Sequence, residues 1–215
     1  MKKIYAVHRG KNPGIYEKWS ECEKNVKGYN GAVFKKFSNM EEAEYFVKTG
    51  KLLEEVEEKE DGEIMYIYTD GSSLNNGMEN CRAGYGVYFG ENDGRNMSEE
   101  IFDLPSNQRA ELYGIEKAIK KIENSIDKYD KICIYTDSDY SIKCVTKYVD
   151  RWLVNGWKTS KDEDVKNRDL IEEIYKYINK YSKIELKHVY SHTNKKDRHS
   201  IGNERADNLA YKSIS

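Results

Sequence analysis

Proline is almost missing from this chain, with two in 215 residues, and the four cysteines stand far apart. Cys22, Cys81, Cys133 and Cys144 form no CxxC pair, so neither a zinc site nor a disulfide framework is expected to organise the fold. Long apolar runs are lacking too: nothing approaches the roughly 18 consecutive apolar residues of a membrane helix. Met-Lys-Lys leads straight into a short mixed segment, without the apolar core of a secretory signal or an Arg-rich amphipathic leader. Together these absences exclude a membrane span and a disulfide-stapled scaffold. They point to an intracellular protein, cytoplasmic or, in a eukaryote, nuclear, with no membrane partner and a monomer as the default state. No low-complexity tract appears, so disorder is expected in at most one short segment.

Charge is what the chain has in quantity, at 34% of residues, and its distribution divides the sequence. Residues 1 to 48 hold ten Lys and Arg against six Glu, residues 49 to 63 hold two against seven acids, and residues 64 to 215 hold 24 against 25. A near-neutral total of −2 therefore hides a basic head, an acidic connector and a balanced body. That pattern suggests an anionic partner for the head. The connector, 49 to 63, reads as a linker, although Leu52, Leu53 and Val56 would also give a solvated helix one apolar edge.

In the head, Ile4 to Val7 reads as a strand, Gly10 to Gly14 as a turn, Ile15 to Tyr16 as a second strand and "AVFKKF" as a third. Ser20 is placed to cap a helix over "ECEKNV", with Glu23 completing a capping box, and Ser38 opens a second helix. So small a sheet is expected to have one face covered by its helices and one face open. Tyr5, Trp19 and Phe34 are large aromatics in fewer than fifty residues, with Lys35 and Lys36 directly after Phe34. On an open face these suit base stacking and phosphate contact; as buried rings they would be ordinary core.

"YAVHRGKNPGIYEKW" followed by "FKKF" resembles the RNA/DNA hybrid-binding domain at the front of many type 1 ribonucleases H, over residues 3 to 48. The resemblance implies that Tyr5, Trp19, Phe34, Lys35 and Lys36 contact the hybrid.

The body opens with three β-rich runs, 64 to 70, 83 to 89 and 99 to 104, separated by Asn, Gly and Asp clusters, as in an antiparallel meander. Apolar positions 112, 115, 119 and 122 then share one helical face, with Ser106 available as its cap. A strand over "KICIYTD", helices over 138 to 149 and 167 to 181, a strand over "KIELKHVY" and a helix from "GNERAD" to 214 complete the order. The fold class is α/β, a mixed five-stranded sheet flanked by helices, whose crossovers after the third strand give parallel neighbours.

"IYTDG" and "IYTDSD" end two strands alike, at Asp70 and Asp137. Adjacent parallel strands would set these carboxylates side by side, with Glu111 in the first turn of the intervening helix and Asp207 near the start of the last one. Singly, each acid is an ordinary turn former or a solvated surface group. Converging, four acids repel unless cations compensate, and oxygen-only ligation selects Mg²⁺ or Mn²⁺ over zinc. Two Mg²⁺ at such a site can activate a water and stabilise the leaving oxygen of a phosphodiester. A helical wheel does not separate Glu111 from Glu116, because both flank the apolar stripe.

"TDGS", "NQRAEL", "YTDSD" and "GNERADNLA", in that order, resemble the ribonuclease H active site across residues 64 to 215. The resemblance implies that Asp70, Glu111, Asp137 and Asp207 are the metal-binding catalytic acids, with two Mg²⁺, replaceable by Mn²⁺. "HVYSHT" resembles the segment carrying the family's histidine, here His192, which would assist proton transfer or product release. The loop after it is longer than usual and holds a second imidazole, His199, so which histidine approaches the leaving group stays open. Lys195, Lys196 and Arg198 in that loop are available to substrate phosphates, although a solvated basic loop is the simpler account.

"KYVDRWLVNGWKTSKDEDVKNRDL" resembles the family's basic protrusion, where the DNA strand is held. Trp152 and Trp157 match family tryptophans, with core packing the alternative for both and more so for Trp157, and Tyr148 stands where a second channel tryptophan occurs. Ser106 and Asn167 match DNA-phosphate ligands, but the accompanying Arg is missing, with Leu104 and Pro105 in its neighbourhood. Asn76, Asn107 and Gln108 match positions near the RNA strand. The expectation is thus a ribonuclease H-like fold with a small N-terminal α+β hybrid-binding domain, and an endonuclease cutting the RNA strand of RNA/DNA hybrids. A non-catalytic hybrid-binding protein is the alternative.

Overall fold

The computed structural model describes residues 3–50, 62–191 and 197–215, and the chain divides into two compact units, residues 1–60 and 61–215. Most of the acidic connector lies outside the described residues, including Leu52, Leu53 and Val56. Among the described residues no helix is long and apolar enough to cross a membrane.

The first unit is a three-stranded antiparallel sheet with β1 (Ile4–Arg9) between β2 (Gly14–Tyr16) and β3 (Val33–Phe37). Alternation along β1 divides its side chains between two helices. Ile4 and Ala6 pack with Phe37 against Ala43 and Phe46 of α2 (Met40–Thr49). Val7 packs against Cys22 and Val26 of α1 (Trp19–Val26). Both sheet faces therefore carry a helix, contrary to the expectation of one covered and one open face, because β1 alternates apolar residues to both sides.

The start of α1 also differs from expectation. Lys18, with extended backbone and no side-chain cap bond, precedes the helix, and Ser20 falls inside the first turn. Aromatic packing overrides the capping box here: Trp19 is drawn beside Tyr5 and Phe34, with ring centroids 5.5 and 5.8 Å away.

The second unit is a five-stranded mixed sheet in the order β6-β5-β4-β7-β8, formed by β4 (Ile64–Leu74), β5 (Arg82–Tyr88), β6 (Met97–Ile101), β7 (Lys131–Thr136) and β8 (Ile184–His188). β4 and β5, and β5 and β6, are antiparallel; β4 with β7 and β7 with β8 are parallel. This is the mixed sheet expected from three meander strands followed by crossovers. β6 begins and ends earlier than expected: Phe102 and Leu104 lie beyond it, exposed, with Leu104 in the left-handed backbone region (φ 49°).

One face of this sheet is buried by α3 (Asn107–Ile122) and α6 (Arg168–Lys180). Leu112, Ile115, Ile119 and Ile122 of α3 are fully buried with Ile67, Ile132 and Ile134 of the sheet. Each such side chain contributes roughly 1.5–3 kcal/mol. Ser106 caps α3 by accepting from the Arg109 amide at 3.2 Å. Between β7 and α6 the chain forms one interrupted helix, α4 (Asp139–Lys143), a π-turn (Cys144–Tyr148) and α5 (Val149–Val154). It runs five residues past the expected end at 149, and its wide turn has no signature in local propensity.

The opposite face is covered by α7 (Arg198–Ser213), which starts a full turn before the expected Gly202. Asp197 explains the early start, accepting from the amides of His199 and Ser200 at 2.9 Å each. Further along, α7 crosses the sheet almost backbone to backbone. A Cβ on Gly86 would collide with the Ala206 carbonyl oxygen and stand 2.6 Å from the Ala210 amide nitrogen. Neither atom can yield as a flexible side chain would. Gly86→Ala should therefore destabilise the fold by about 1–3 kcal/mol, read as a lower calorimetric Tm; an unchanged Tm would show that α7 does not rest on Gly86.

Candidate active site and nucleic-acid surfaces

Parallel pairing of β4 with β7 decides where two of the acids lie. Their last paired residues are Tyr68 and Tyr135, and an aspartate stands two positions beyond each: Asp137 just past the end of β7, and Asp70 within β4, which does not end there as expected but continues to Leu74 paired with β5. Glu111 is added from α3, in its second turn rather than the expected first, since Ser106 is the cap and Asn107 the first helical residue. A carboxylate oxygen from each of Asp70, Glu111 and Asp137 lies within 4.8 Å of the others.

Glycine makes this closeness possible. A Cβ on Gly71 would collide with the Glu111 amide nitrogen and lie 2.8 Å from the carbonyl carbon of Ala110, so α3 meets β4 with no side chain between them. The Gly71 amide also donates to Asp70 Oδ1 at 2.8 Å.

The electrostatics follow from burial and crowding. Asp70 is pushed up to about 8, first by burial and then by the charges of Asp137 and Asp207. Glu111 is driven well above the usual carboxylate range by burial, Asp70 and Asp137, while Glu111 and Asp70 hydrogen-bond one another. Asp207, half-buried on α7, stands near enough for its charge to act on Asp70, although it lies outside the tight group of three. Glu111 Oε2 is buried with no hydrogen-bond partner among the described residues. A buried, unsatisfied carboxylate oxygen among like charges fits hard divalent cations, which take oxygen ligands.

Glu116 is now separated from Glu111. It is also buried, but pairs with Lys120, which in turn reaches Glu173 at 2.6 Å. Its charge is balanced by protein cations; no ion pair to Glu111 is present among the described residues.

Comparison with known proteins bears directly on this geometry. The RNase H family model matches residues 62–215, and the model for the ribonuclease H1 N-terminal domain matches residues 3–47. The chain belongs to the ribonuclease H family. Ribonuclease H1 of Rattus norvegicus is 31% identical, covering 96% of this chain and 87% of its own length. Ribonuclease H of Schizosaccharomyces pombe is 30% identical, covering 98% and 97%. Among solved structures, a foamy viral protease-reverse transcriptase in complex with dsDNA aligns with a TM-score of 0.56 at 25% identity, over 70% of this chain and 93% of that one. The chain is a ribonuclease H enzyme, with a hybrid-binding type of N-terminal domain ahead of its catalytic fold.

Around the acids, this ribonuclease H organises its polar residues through Arg109, which sequence inspection did not single out. Arg109 is buried and pairs with Asp103 and, at 2.7 Å, with Asp169. Its guanidinium also reaches Asn167 Oδ1 at 3.4 Å, while its amide is the one capped by Ser106. Ser106 and Asn167 are thus brought to one residue, and Asn167 additionally touches the Tyr140 hydroxyl at 3.5 Å. The missing Arg at Leu104 is not replaced by Arg109, whose charge is engaged by two carboxylates. The "NQRAEL" spacing was the available signal: an Arg amid the apolar stripe of a buried helix requires partners.

Among the residues matched by resemblance to the RNA strand, Asn76 Oδ1 accepts from the Asn107 amide at 3.1 Å, and the Asn107 side chain meets Ser73 Oγ at 3.3 Å. Gln108 follows on the exposed side of the same turn. In the protrusion, Tyr148 and Trp152 have ring centroids 5.7 Å apart, Tyr148 exposed and Trp152 half-buried. Trp157 is buried beneath Arg168, whose guanidinium lies 4.9 Å from its ring centroid, so core packing is its use.

His192, Lys195 and Lys196 lie outside the described residues. His199 sits in the first turn of α7, stacked on Tyr135 at 4.2 Å and hydrogen-bonded with the Tyr68 hydroxyl at 3.1 Å. Burial lowers its pKa. A ring enclosed this way serves the packing of α7 on the sheet.

In the N-terminal domain, Tyr5, Trp19 and Phe34 form one aromatic row, with Trp19 and Phe34 each 43% exposed. Pairing of Tyr5 with Lys36 and Ala6 with Lys35 puts Lys36 on the aromatic face and Lys35 on the other. The five residues therefore do not share one face, because adjacent strand residues alternate.

The raised pKa of Asp70 has a consequence for stability. An unfolded aspartate titrates near 3.8, whereas the folded group titrates at about 8, so without metal the fold retains a proton that the unfolded chain releases. This contribution is fully present below about pH 4 and is lost as pH rises toward 8. In EDTA, Asp70→Asn should melt above the parent at pH 8.5 and show a shallower decline from pH 5 to 8.5. Identical pH profiles for the two proteins would contradict the crowded-carboxylate account.

Proposed function

We propose that this ribonuclease H is an endonuclease that hydrolyses the RNA strand of RNA/DNA hybrids, leaving 5′-phosphate and 3′-hydroxyl ends. The observation that supports it most is the cluster of Asp70, Glu111 and Asp137 with Asp207 in electrostatic range. Two Mg²⁺, or Mn²⁺ in their place, would supply charge compensation, water activation and stabilisation of the leaving oxygen there. The protein's own part is positional. Asp70 and Asp137 are fixed by neighbouring sheet strands, Glu111 by the α3 backbone against Gly71, and Asp207 by the α7 backbone against Gly86. His192 assists proton transfer or product release.

Substrate selection rests on phosphate, sugar and shape rather than base identity. Asn76, Asn107 and Gln108 meet 2′-hydroxyls of the RNA strand; Ser106 and Asn167 meet a DNA phosphate; Tyr148 and Trp152 line the DNA strand. Tyr5, Trp19, Phe34 and Lys36, which share one face, hold the hybrid on the N-terminal domain, raising its local concentration for repeated cuts. The protein acts as a monomer, in the cytoplasm or a nucleus, on RNA primers and R-loops.

The deciding assay mixes the protein with labelled RNA/DNA hybrid, duplex RNA and duplex DNA, in Mg²⁺ and in excess EDTA. Only the RNA strand of the hybrid should be cut, and only with metal. Asp137→Asn should lose turnover by at least about a thousandfold, on the order of 4 kcal/mol in the barrier, while hybrid affinity is retained. Mg²⁺-dependent cleavage near the parent rate by this variant would falsify the four-acid site. Deleting residues 1–48 should weaken hybrid binding and processivity far more than single-turnover cleavage. Unchanged affinity after deletion would remove the proposed role of the N-terminal domain.

A further inference from the structure

The catalytic fold holds a second concavity, at the end of β4 opposite its acids. Its volume is about 450 Å³, within the range of small-molecule sites. Tyr66, Tyr88, Phe89 and Tyr129 supply half-buried aromatic walls, and Arg95 and Arg198 stand at its lining. Tyr68, which also lines it, lies two residues before Asp70, about 7 Å along the strand, and none of Asp70, Glu111, Asp137 and Asp207 lines the cavity.

The two guanidiniums are placed differently. Arg95 lies 4.8 Å from the Phe89 ring centroid and is locked by Asp93, which accepts from Nε at 3.0 Å and Nη2 at 2.7 Å. Arg198 lies 4.8 Å from the Tyr66 ring centroid, exposed, and no carboxylate is within ion-pair distance among the described residues. The nearby amides of His199 and Ser200 are already taken by the Asp197 carboxylate. An anion entering the cavity would therefore be met by side-chain guanidinium.

Aromatic walls with an Arg that pairs with no carboxylate among the described residues suit a flat π-system that carries a phosphate. Tyrosine rings stack with nucleobases, and guanidinium matches phosphate in geometry and charge. A site for phosphate alone would not require aromatic walls, and one for an uncharged base would gain nothing from Arg198. We infer that this cavity binds a nucleoside monophosphate, free or as the 5′-terminal nucleotide of a strand, at a site separate from the catalytic acids.

The test uses the full chain in EDTA, so that phosphate cannot reach the acid cluster through metal. AMP, adenosine and inorganic phosphate are titrated calorimetrically into the parent and into Arg198→Ala, a change at an exposed side chain; the Tm of both proteins is measured alongside. Saturable AMP binding is expected, with adenosine and phosphate each at least about tenfold weaker. Arg198→Ala should weaken AMP by at least about tenfold, one charge-assisted contact, with Tm unchanged. A 5′-phosphorylated oligoadenylate that competes with AMP in the parent but not in the variant assigns the site to a strand end; competition by free nucleotides alone assigns it to the free nucleotide. Absence of saturable AMP binding, AMP no tighter than adenosine or phosphate, or equal AMP affinity in both proteins would each overturn the site.

Discussion

Mutual repulsion among carboxylates is the constraint around which the catalytic fold is arranged. Asp70, Glu111 and Asp137 bring oxygens within 4.8 Å of one another, with Asp207 adding its field, and in the metal-free protein Asp70 and Glu111 are pushed toward protonation. Such a cluster works against folding, so it must be imposed by the rest of the molecule. The imposition is steric. Gly71 lets α3 touch β4, Gly86 lets α7 touch β5, and at both contacts backbone faces backbone. The fully buried isoleucines behind α3 supply the stabilisation against which the repulsion is set.

Arg109 extends the same logic from the acids to their surroundings. One buried guanidinium joins Asp103 in the loop before α3, Asp169 at the start of α6 and the side chain of Asn167. Burying a cation is tolerable only when it is fully paired, and full pairing fixes three segments at once. Ser106 and Asn167 therefore belong to one rigid assembly with the helix that carries Glu111. Rigidity has a visible cost at Leu104, a non-glycine residue held in the left-handed region with its side chain exposed.

Much of this was legible in the sequence, for reasons that are local. The stripe at 112, 115, 119 and 122 reports a helix face directly, and the paired Thr-Asp sequences report the level at which β4 and β7 stop pairing, although β4 itself runs on to Leu74. What was not legible depends on contacts between distant residues. Ser20 looks like a cap, but Trp19 is recruited to Tyr5 and Phe34, so the helix starts earlier. Gly202 looks like the start of the last helix, yet His199 is already helical: Asp197 caps that turn, and the imidazole stacks on Tyr135, far away in sequence. The π-turn over Cys144–Tyr148 likewise has no local signal. Glu111 and Glu116 were indistinguishable on a wheel because the difference between them is Lys120 and Glu173, a matter of partners rather than of position.

The distribution of charge then explains why one chain would carry two units for one substrate. A polyanion is attracted by uncompensated cations, and the catalytic fold spends its own: Arg109 on two aspartates, Lys120 on two glutamates, Arg82 on Glu100. Its balance from residue 64 onward is 24 basic against 25 acidic residues, and on our proposal its cluster of acids sits where the scissile phosphate would lie. Residues 1 to 48 hold ten basic residues against six acidic ones, with exposed rings at Trp19 and Phe34. Affinity for a nucleic acid is dominated by phosphate neutralisation, so on our proposal the N-terminal unit supplies the attraction that a repulsive catalytic centre cannot supply for itself.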